Sequence, residues 1–215
     1  MPDYRDPENF DPAGALFGRG KGKPLRTRQQ ALIEERLPAL RVPVAGHQGD
    51  LDPAGLFAPD MREIRLEIGF GGGEHLLARA KASPDVGFIG CEAFLNGVAK
   101  AVAAIETQGI SNIRLFDGDA RRLLEALSPH RLSHIDLLYP DPWPKTRHHK
   151  RRFVSPRTLS EIERLLRPGG TWLLASDIPD YVRWSLEHVR RHNAQGGRLV
   201  WQAERARDWL EPPAG

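Results

Sequence analysis

Cysteine is almost absent from this chain of 215 residues, Cys91 being the only one. A disulfide framework and a multi-thiolate metal centre are therefore excluded, and the lone thiol, set in the apolar run VGFIGC, is expected to be buried and inert. There is also no run of about eighteen apolar residues, so no membrane-spanning helix is expected. The N-terminus, MPDYRDPENFDP, carries acids and prolines where a secretory signal needs a basic start and an apolar stretch. A soluble, cytoplasmic protein with no membrane partner is the expectation.

Acid is missing locally. No Asp or Glu occurs between Pro12 and Ile33, where Arg19, Lys21, Lys23, Arg26 and Arg28 accumulate. The same holds from Pro142 to Ser160, where Lys145, Arg147, Lys150, Arg151, Arg152 and Arg157 stand with His148 and His149 among them. The whole chain is nearly balanced, with 31 Lys and Arg against 28 Asp and Glu, so the asymmetry lies in the distribution. Two separate acid-free basic segments point to a polyanion, most simply nucleic acid, with solvated loops as the alternative. His148 and His149 have no metal-like spacing partner and read as extra polar or phosphate contacts; no metal is expected.

The 40% hydrophobic content is enough for one core of ordinary domain size. Residues 1–26 read as a flexible basic arm and 27–215 as a single domain. A first helix is expected over Thr27–Leu40. Strands are expected at Ile64–Ile68, Val86–Cys91, Ile113–Phe116, Ile135–Tyr139, Thr171–Ala175 and Arg198–Gln202. Helices are expected near Glu74–Lys81, Gly97–Thr107, Ala120–Leu127, Pro156–Leu166 and Asp180–His192. The fourth of these has Ser155 as its cap, Pro156 at its first position and Gly169 or Gly170 after its end. Strands alternating with helices predict an α/β fold with a doubly wound, mostly parallel sheet, whose ligands lie at the carboxyl ends of the strands. Trp172, Trp184 and Trp201 fall on these patterns as core residues.

The strand ends carry the chemistry. LEIGFGGGEH places Glu67, Gly69, Gly71 and Gly73 just before a helix, where glycines let a ligand approach the backbone. A dinucleotide fingerprint needs G-x-G-x-x-G, and from Gly69 the third position is Glu74; no Gly-Lys-Ser/Thr follows either. The Glu67 carboxylate would repel a pyrophosphate and favour an ammonium or sulfonium group. Glu92, at the end of the second strand, can accept both hydrogen bonds of a ribose diol, or cap the next helix. Asp119, after the third, can accept from an adenine amine while capping. Together these describe a pocket for S-adenosyl-L-methionine. A nicotinamide oxidoreductase is disfavoured by the missing glycine and by Glu67.

The loop YPDPWPKTRHHKRR holds Asp141 between Pro140 and Pro142, with Pro144 beyond, so the carboxylate is held stiffly. Lys145, Arg147, Lys150, Arg151 and Arg152 are read as contacts to phosphates flanking a substrate nucleotide. Trp143 either stacks on a base or packs the loop against the sheet.

LEIGFGGGEHLLARA, FIGCEAF, GDARRLL, YPDPWPKTRHHKRRFV and ASD, in that order, resemble the bacterial tRNA (guanine-N7)-methyltransferase family over roughly Gly18 to Trp209. The resemblance implies a Rossmann-like class I methyltransferase fold and methyl transfer from S-adenosyl-L-methionine to N7 of guanosine 46 in the tRNA variable loop. It implies cofactor binding by Glu67, Glu92, Asp119 and Asp141, a catalytic role for Asp141, and substrate binding by Lys145 and Asp177. One departure stands out. Family members continue into a Thr-Arg-x-Glu type motif and a final antiparallel strand, whereas this sequence ends WLEPPAG. That end predicts a sheet lacking its last strand, and an alternative function as a tRNA-binding protein with a cofactor pocket and little activity. Monomer and homodimer stay equally open.

Overall fold

Five strands form the sheet: β1 (Glu63–Ile68), β2 (Val86–Cys91), β3 (Ile113–Phe116), β4 (Leu132–Leu138) and β5 (Leu166–Ala175). In this computed structural model, which describes residues 22–203, all of them pair in parallel in the order β3-β2-β1-β4-β5. The helices are α1 (Thr27–Leu40), α2 (Glu74–Ala82), α3 (Leu95–Gln108), α4 (Ala120–Ala126), α5 (Pro156–Leu165) and α6 (Pro179–Ala194). Strand direction can stay parallel only if each connection crosses back over the sheet, and the helices provide those crossings. No helix among the described residues is long and apolar enough to cross a membrane.

Side-chain alternation sorts the core into two layers. On one face Ile64, Leu66 and Ile68 of β1 join Ile89, Cys91, Ile135 and Leu137, against Leu123 and Leu124 of α4, Leu159, Ile162 and Leu165 of α5, and Tyr181 of α6. On the other, Val86, Phe88, Ile113 and Leu115 pack under Leu37 of α1, Leu76 and Leu77 of α2, and Val98, Val102 and Ile105 of α3. The sheet is therefore doubly wound, as its sequence pattern predicts. Cys91 lies in this core, where burial pushes its thiol well above the usual range.

Local signals explain the element ends. The Ser155 side chain accepts from the Thr158 N–H while the Thr158 hydroxyl accepts from the Ser155 N–H, and Pro156 fills the first helical position of α5. The helix ends at Leu165, earlier than the glycines foretell, because Gly169 with φ +75° and Gly170 lie inside β5, at the register shift between its pairs to Leu132 and His134. Gly22 and Lys23 of the basic arm are hydrogen-bonded to the Asn96 side chain of α3; residues 1–21 of the arm and residues 204–215 lie outside the described part.

The expected strand Arg198–Gln202 is not one. The side chain of Asn193 both donates to the Leu199 carbonyl (2.7 Å) and accepts from its N–H (3.1 Å), and Glu163 takes the Arg198 N–H. These bonds to α5 and α6 satisfy backbone groups that a strand would give to a neighbour. Trp201, expected in the core, is 50% exposed for the same reason. Trp172 and Trp184 do pack against the core. Among the described residues no strand follows β5.

Asn112 is the polar pin of the α2 side. Its Nδ2 lies 3.0, 3.0 and 2.8 Å from the carbonyl oxygens of Ala80, Ser83 and Val86, so two hydrogens serve three acceptors that tie the end of α2 and the turn after it to the start of β2. Asn112→Ala is expected to lower the unfolding free energy by about 1–3 kcal/mol. Asn112→Asp should be at least as harmful, because it presents acceptors to acceptors. Urea denaturation measures both; a loss below about 0.5 kcal/mol in each would contradict this account.

Candidate active site

The carboxyl ends of β1 to β4 open onto a cavity of about 780 Å³ whose wall includes Ile68, Gly69, Cys91, Glu92, Asp119, Leu137 and Asp141. The chain leaves β1 through a turn in which Gly69, Gly71 and Gly73 have φ of +78°, +58° and +84°, values that side chains resist. Glu92 fixes that turn, since one carboxylate oxygen accepts from the Gly71 N–H at 2.8 Å and the other from the Phe94 N–H at 2.8 Å. The seat beneath it is Gly97 of α3, where a Cβ would stand 2.2 Å from the Gly71 carbonyl oxygen. Sequence reading did not single out Gly97; the signal available was a glycine inside a helical pattern.

Asp119 caps α4, accepting from the Arg121 N–H at 3.0 Å, and its carboxylate also receives the Arg121 guanidinium. Capping and facing the cavity are thus compatible. Arg121, also on the wall, is a counter-charge that the sequence pattern left unnoticed. Glu67 is placed differently. It faces the other side of β1, buried, with its carboxylate 2.8 Å from His75 Nδ1 and opposite Asp136 of β4. Burial pushes its carboxyl above the ordinary value and the Asp136 charge adds to this, while His75 pulls the other way. Candidate ligand atoms of Glu67, His75 and Asp136 lie within 4.8 Å of one another, but each carboxylate already has an imidazole partner, Asp136 bonding His134 at 2.9 Å.

Beyond β4 the proline-rich loop brings exposed Asp141 onto the cavity wall, which Lys150, Arg151 and Arg152 also line. Lys145 and Arg147 are exposed on the same loop, and Asp177 is exposed just after β5. Arg152 departs from its expected role as a phosphate contact. Its side chain is 1% exposed, with Nε donating to the Pro142 carbonyl (2.8 Å) and a terminal nitrogen to Asp180 (2.5 Å), and its guanidinium lies 5.6 Å from the Tyr181 ring and 5.0 Å from that of Trp184. A group so enclosed has no face left for a nucleic acid. Trp143 packs the loop, with the Arg151 guanidinium 5.0 Å from its ring and His148 meeting it edge-on. His149 likewise meets Trp184, so both histidines pack against tryptophans. Partial burial and the cations around it hold His148 below its ordinary pKa.

A family model described as a putative methyltransferase matches residues 61–206. The chain is 50% identical over 210 residues to the tRNA (guanine-N(7)-)-methyltransferase of Nitrobacter hamburgensis, an alignment covering 98% of this chain and 80% of that protein. It is 51% identical over 201 residues to the protein of the same name from Rhizobium meliloti, covering 94% and 84%. The relative from Agrobacterium fabrum, again so named, is 50% identical over 200 residues, covering 93% and 84%.

Gly97→Ala separates helix propensity from the seating of the turn. In an unconstrained helix alanine would stabilise by about 1 kcal/mol. Here the Cβ meets a backbone oxygen, so the variant is expected to melt lower than the wild type and to bind S-adenosylmethionine at least about tenfold more weakly, since a shift of the turn unseats both Gly71 and Glu92. Calorimetric titration and thermal melting check it; a higher melting temperature with unchanged affinity would show that the turn is not seated on α3.

Proposed function

Because this chain belongs to the tRNA (guanine-N7)-methyltransferase family, we propose that it transfers the methyl group of S-adenosylmethionine to N7 of a guanosine in tRNA, at position 46 of the variable loop. One observation carries the assignment of the site: Asp141, on its proline-framed loop, shares a cavity wall with Glu92 and Asp119.

The donor set fits the cofactor. Acids at the ends of β2 and β3, an apolar floor of Ile68, Cys91 and Leu137, and a glycine turn match a ribose diol, an adenine with its exocyclic amine, and a cationic amino-acid end. Glu92 is assigned to the diol and Asp119 to the amine. Glu67, behind the turn, is assigned the negative potential that favours an ammonium or sulfonium group. S-adenosylmethionine, when bound, supplies an electrophilic methyl on a positively charged sulfur.

The protein's own task is mostly alignment. Guanine N7 carries an in-plane lone pair and no proton, so no base has to deprotonate it first. Holding two reactants in line can contribute about 7–11 kcal/mol. Asp141 is assigned to accept from the guanine N1 and N2 hydrogens, which orients the base and offsets the positive charge that develops on the ring. Lys145, Arg147, Lys150 and Arg151 are assigned to neighbouring phosphates, and Asp177 to the guanosine side. Arg152 serves inside the protein, holding the loop at Pro142.

Asp141→Asn keeps the shape but loses the charge and half of the acceptors. It is expected to lower methyl transfer to bulk tRNA by at least about a hundredfold, with S-adenosylhomocysteine affinity within about threefold of wild type. Turnover within a few-fold of wild type would remove Asp141 from the reaction. A matching loss of cofactor affinity would make it a pocket residue only.

A further inference from the structure

Two aromatic residues flank the Pro140-Asp141-Pro142 segment, and both have positive φ: Tyr139 at +49° and Trp143 at +41°. Beyond glycine, His130 is the one other residue with positive φ among those described. The left-handed region is unfavourable for a bulky side chain, and a following proline restricts the backbone further toward extended conformations, so Tyr139 is held where sterics disfavour it twice. Its restraints are visible. The Tyr139 N–H donates to the carbonyl of Ala175 at 2.8 Å, bolting the end of β4 to the end of β5, and Pro140 stiffens the chain on its other side.

The outcome of this constraint is an aromatic ring turned outward. Tyr139 is 68% exposed, more than any other Tyr, Phe or Trp among the described residues, yet it lies on the wall of the cavity that carries Asp141. Nearby rings are already occupied: Trp143 by Arg151 and His148, Trp184 by Arg152, His149 and His188. A strained and exposed aromatic at the mouth of a site calls for a partner with a flat face.

We propose that Tyr139 is the platform on which the target guanine stacks while Asp141 holds its edge. This rests on the methyl-transfer reading and deepens it. The edge contacts of Asp141 fix the base within its plane, but they leave it free to tilt about that edge; a ring against its face removes the tilt and keeps N7 in line. The chemistry adds a second reason. As the N7–C bond forms, the purine becomes cationic, and an electron-rich phenol ring binds a cationic face more strongly than a neutral one. The platform therefore favours the transition state over the bound substrate, which is the condition for raising rate and not only affinity.

Four proteins test this, wild type, Tyr139→Phe, Tyr139→Leu and Tyr139→Gly, each measured for steady-state methylation of a tRNA transcript, S-adenosylhomocysteine affinity by calorimetry, and melting temperature. Tyr139→Leu is expected to lose about tenfold to a hundredfold in kcat/KM for tRNA, part of it in kcat. Tyr139→Phe, which keeps the ring, should recover most of that loss. Tyr139→Gly should be as slow as the Leu variant while melting no lower than wild type, because glycine relieves the positive φ. Cofactor affinity should stay within about twofold throughout. A Leu variant as fast as wild type, a Phe variant as slow as Leu, or a parallel loss of cofactor affinity or stability would each overturn the platform while leaving methyl transfer intact. A wild-type protein that forms no 7-methylguanosine would overturn the methyl-transfer reading itself, and the platform with it.

Discussion

The guanidinium of Arg152 is the contact on which the proline-rich loop after β4 depends. Taking such a cation out of water costs on the order of several kcal/mol, and here three kinds of partner offset it: the Pro142 carbonyl, the Asp180 carboxylate, and the rings of Tyr181 and Trp184. The tyrosine adds no competing charge, since burial pushes its phenol up to about 12. Asp180 is about half exposed, so the ion pair itself is screened. The geometry matters more than the charge, because one planar group joins the middle of the loop to the first turn of α6.

That bond and the Tyr139 N–H bond to Ala175 pin the loop at two points, with Asp141 between them. Prolines at 140, 142 and 144 remove most of the freedom left. The other half of the site is fixed by a separate device, the Glu92 carboxylate that ties the turn after β1 to the start of α3. The two halves meet at the cavity floor, where Ile68 and Leu137 come from adjacent strands. In the proposed arrangement the methyl donor lies on one side of this cavity and the base on the other, both over the carboxyl ends of the strands, which suits a reaction limited by alignment.

Much of this was legible from residue order. Helix α1 and strands β2 and β3 have the expected bounds, since strong periodicity and turn residues agree there. The acids were legible because strand ends are marked by the change from apolar run to glycine or helix cap. Arg152 was not, because a run of cations reads as one charged surface, and only the tight turn over Thr146–Arg151 decides which of them points inward. Glu67 shows a limit of another kind: adjacent residues of a strand face opposite ways, so Ile68 meets the cavity and Glu67 meets His75. Arg198–Gln202 has a strand's composition, but composition does not supply a neighbour to pair with, and Asn193 claims its backbone instead.

The central claim is that one guanine N7 in tRNA receives the methyl group. The most direct measurement uses two unmodified transcripts identical except for G or A at position 46, tritium-labelled S-adenosylmethionine, and digestion to nucleosides. The account predicts label in 7-methylguanosine from the G46 transcript and none from the A46 transcript. Label in any other nucleoside, equal label in both transcripts, or no label from the wild-type protein would contradict it.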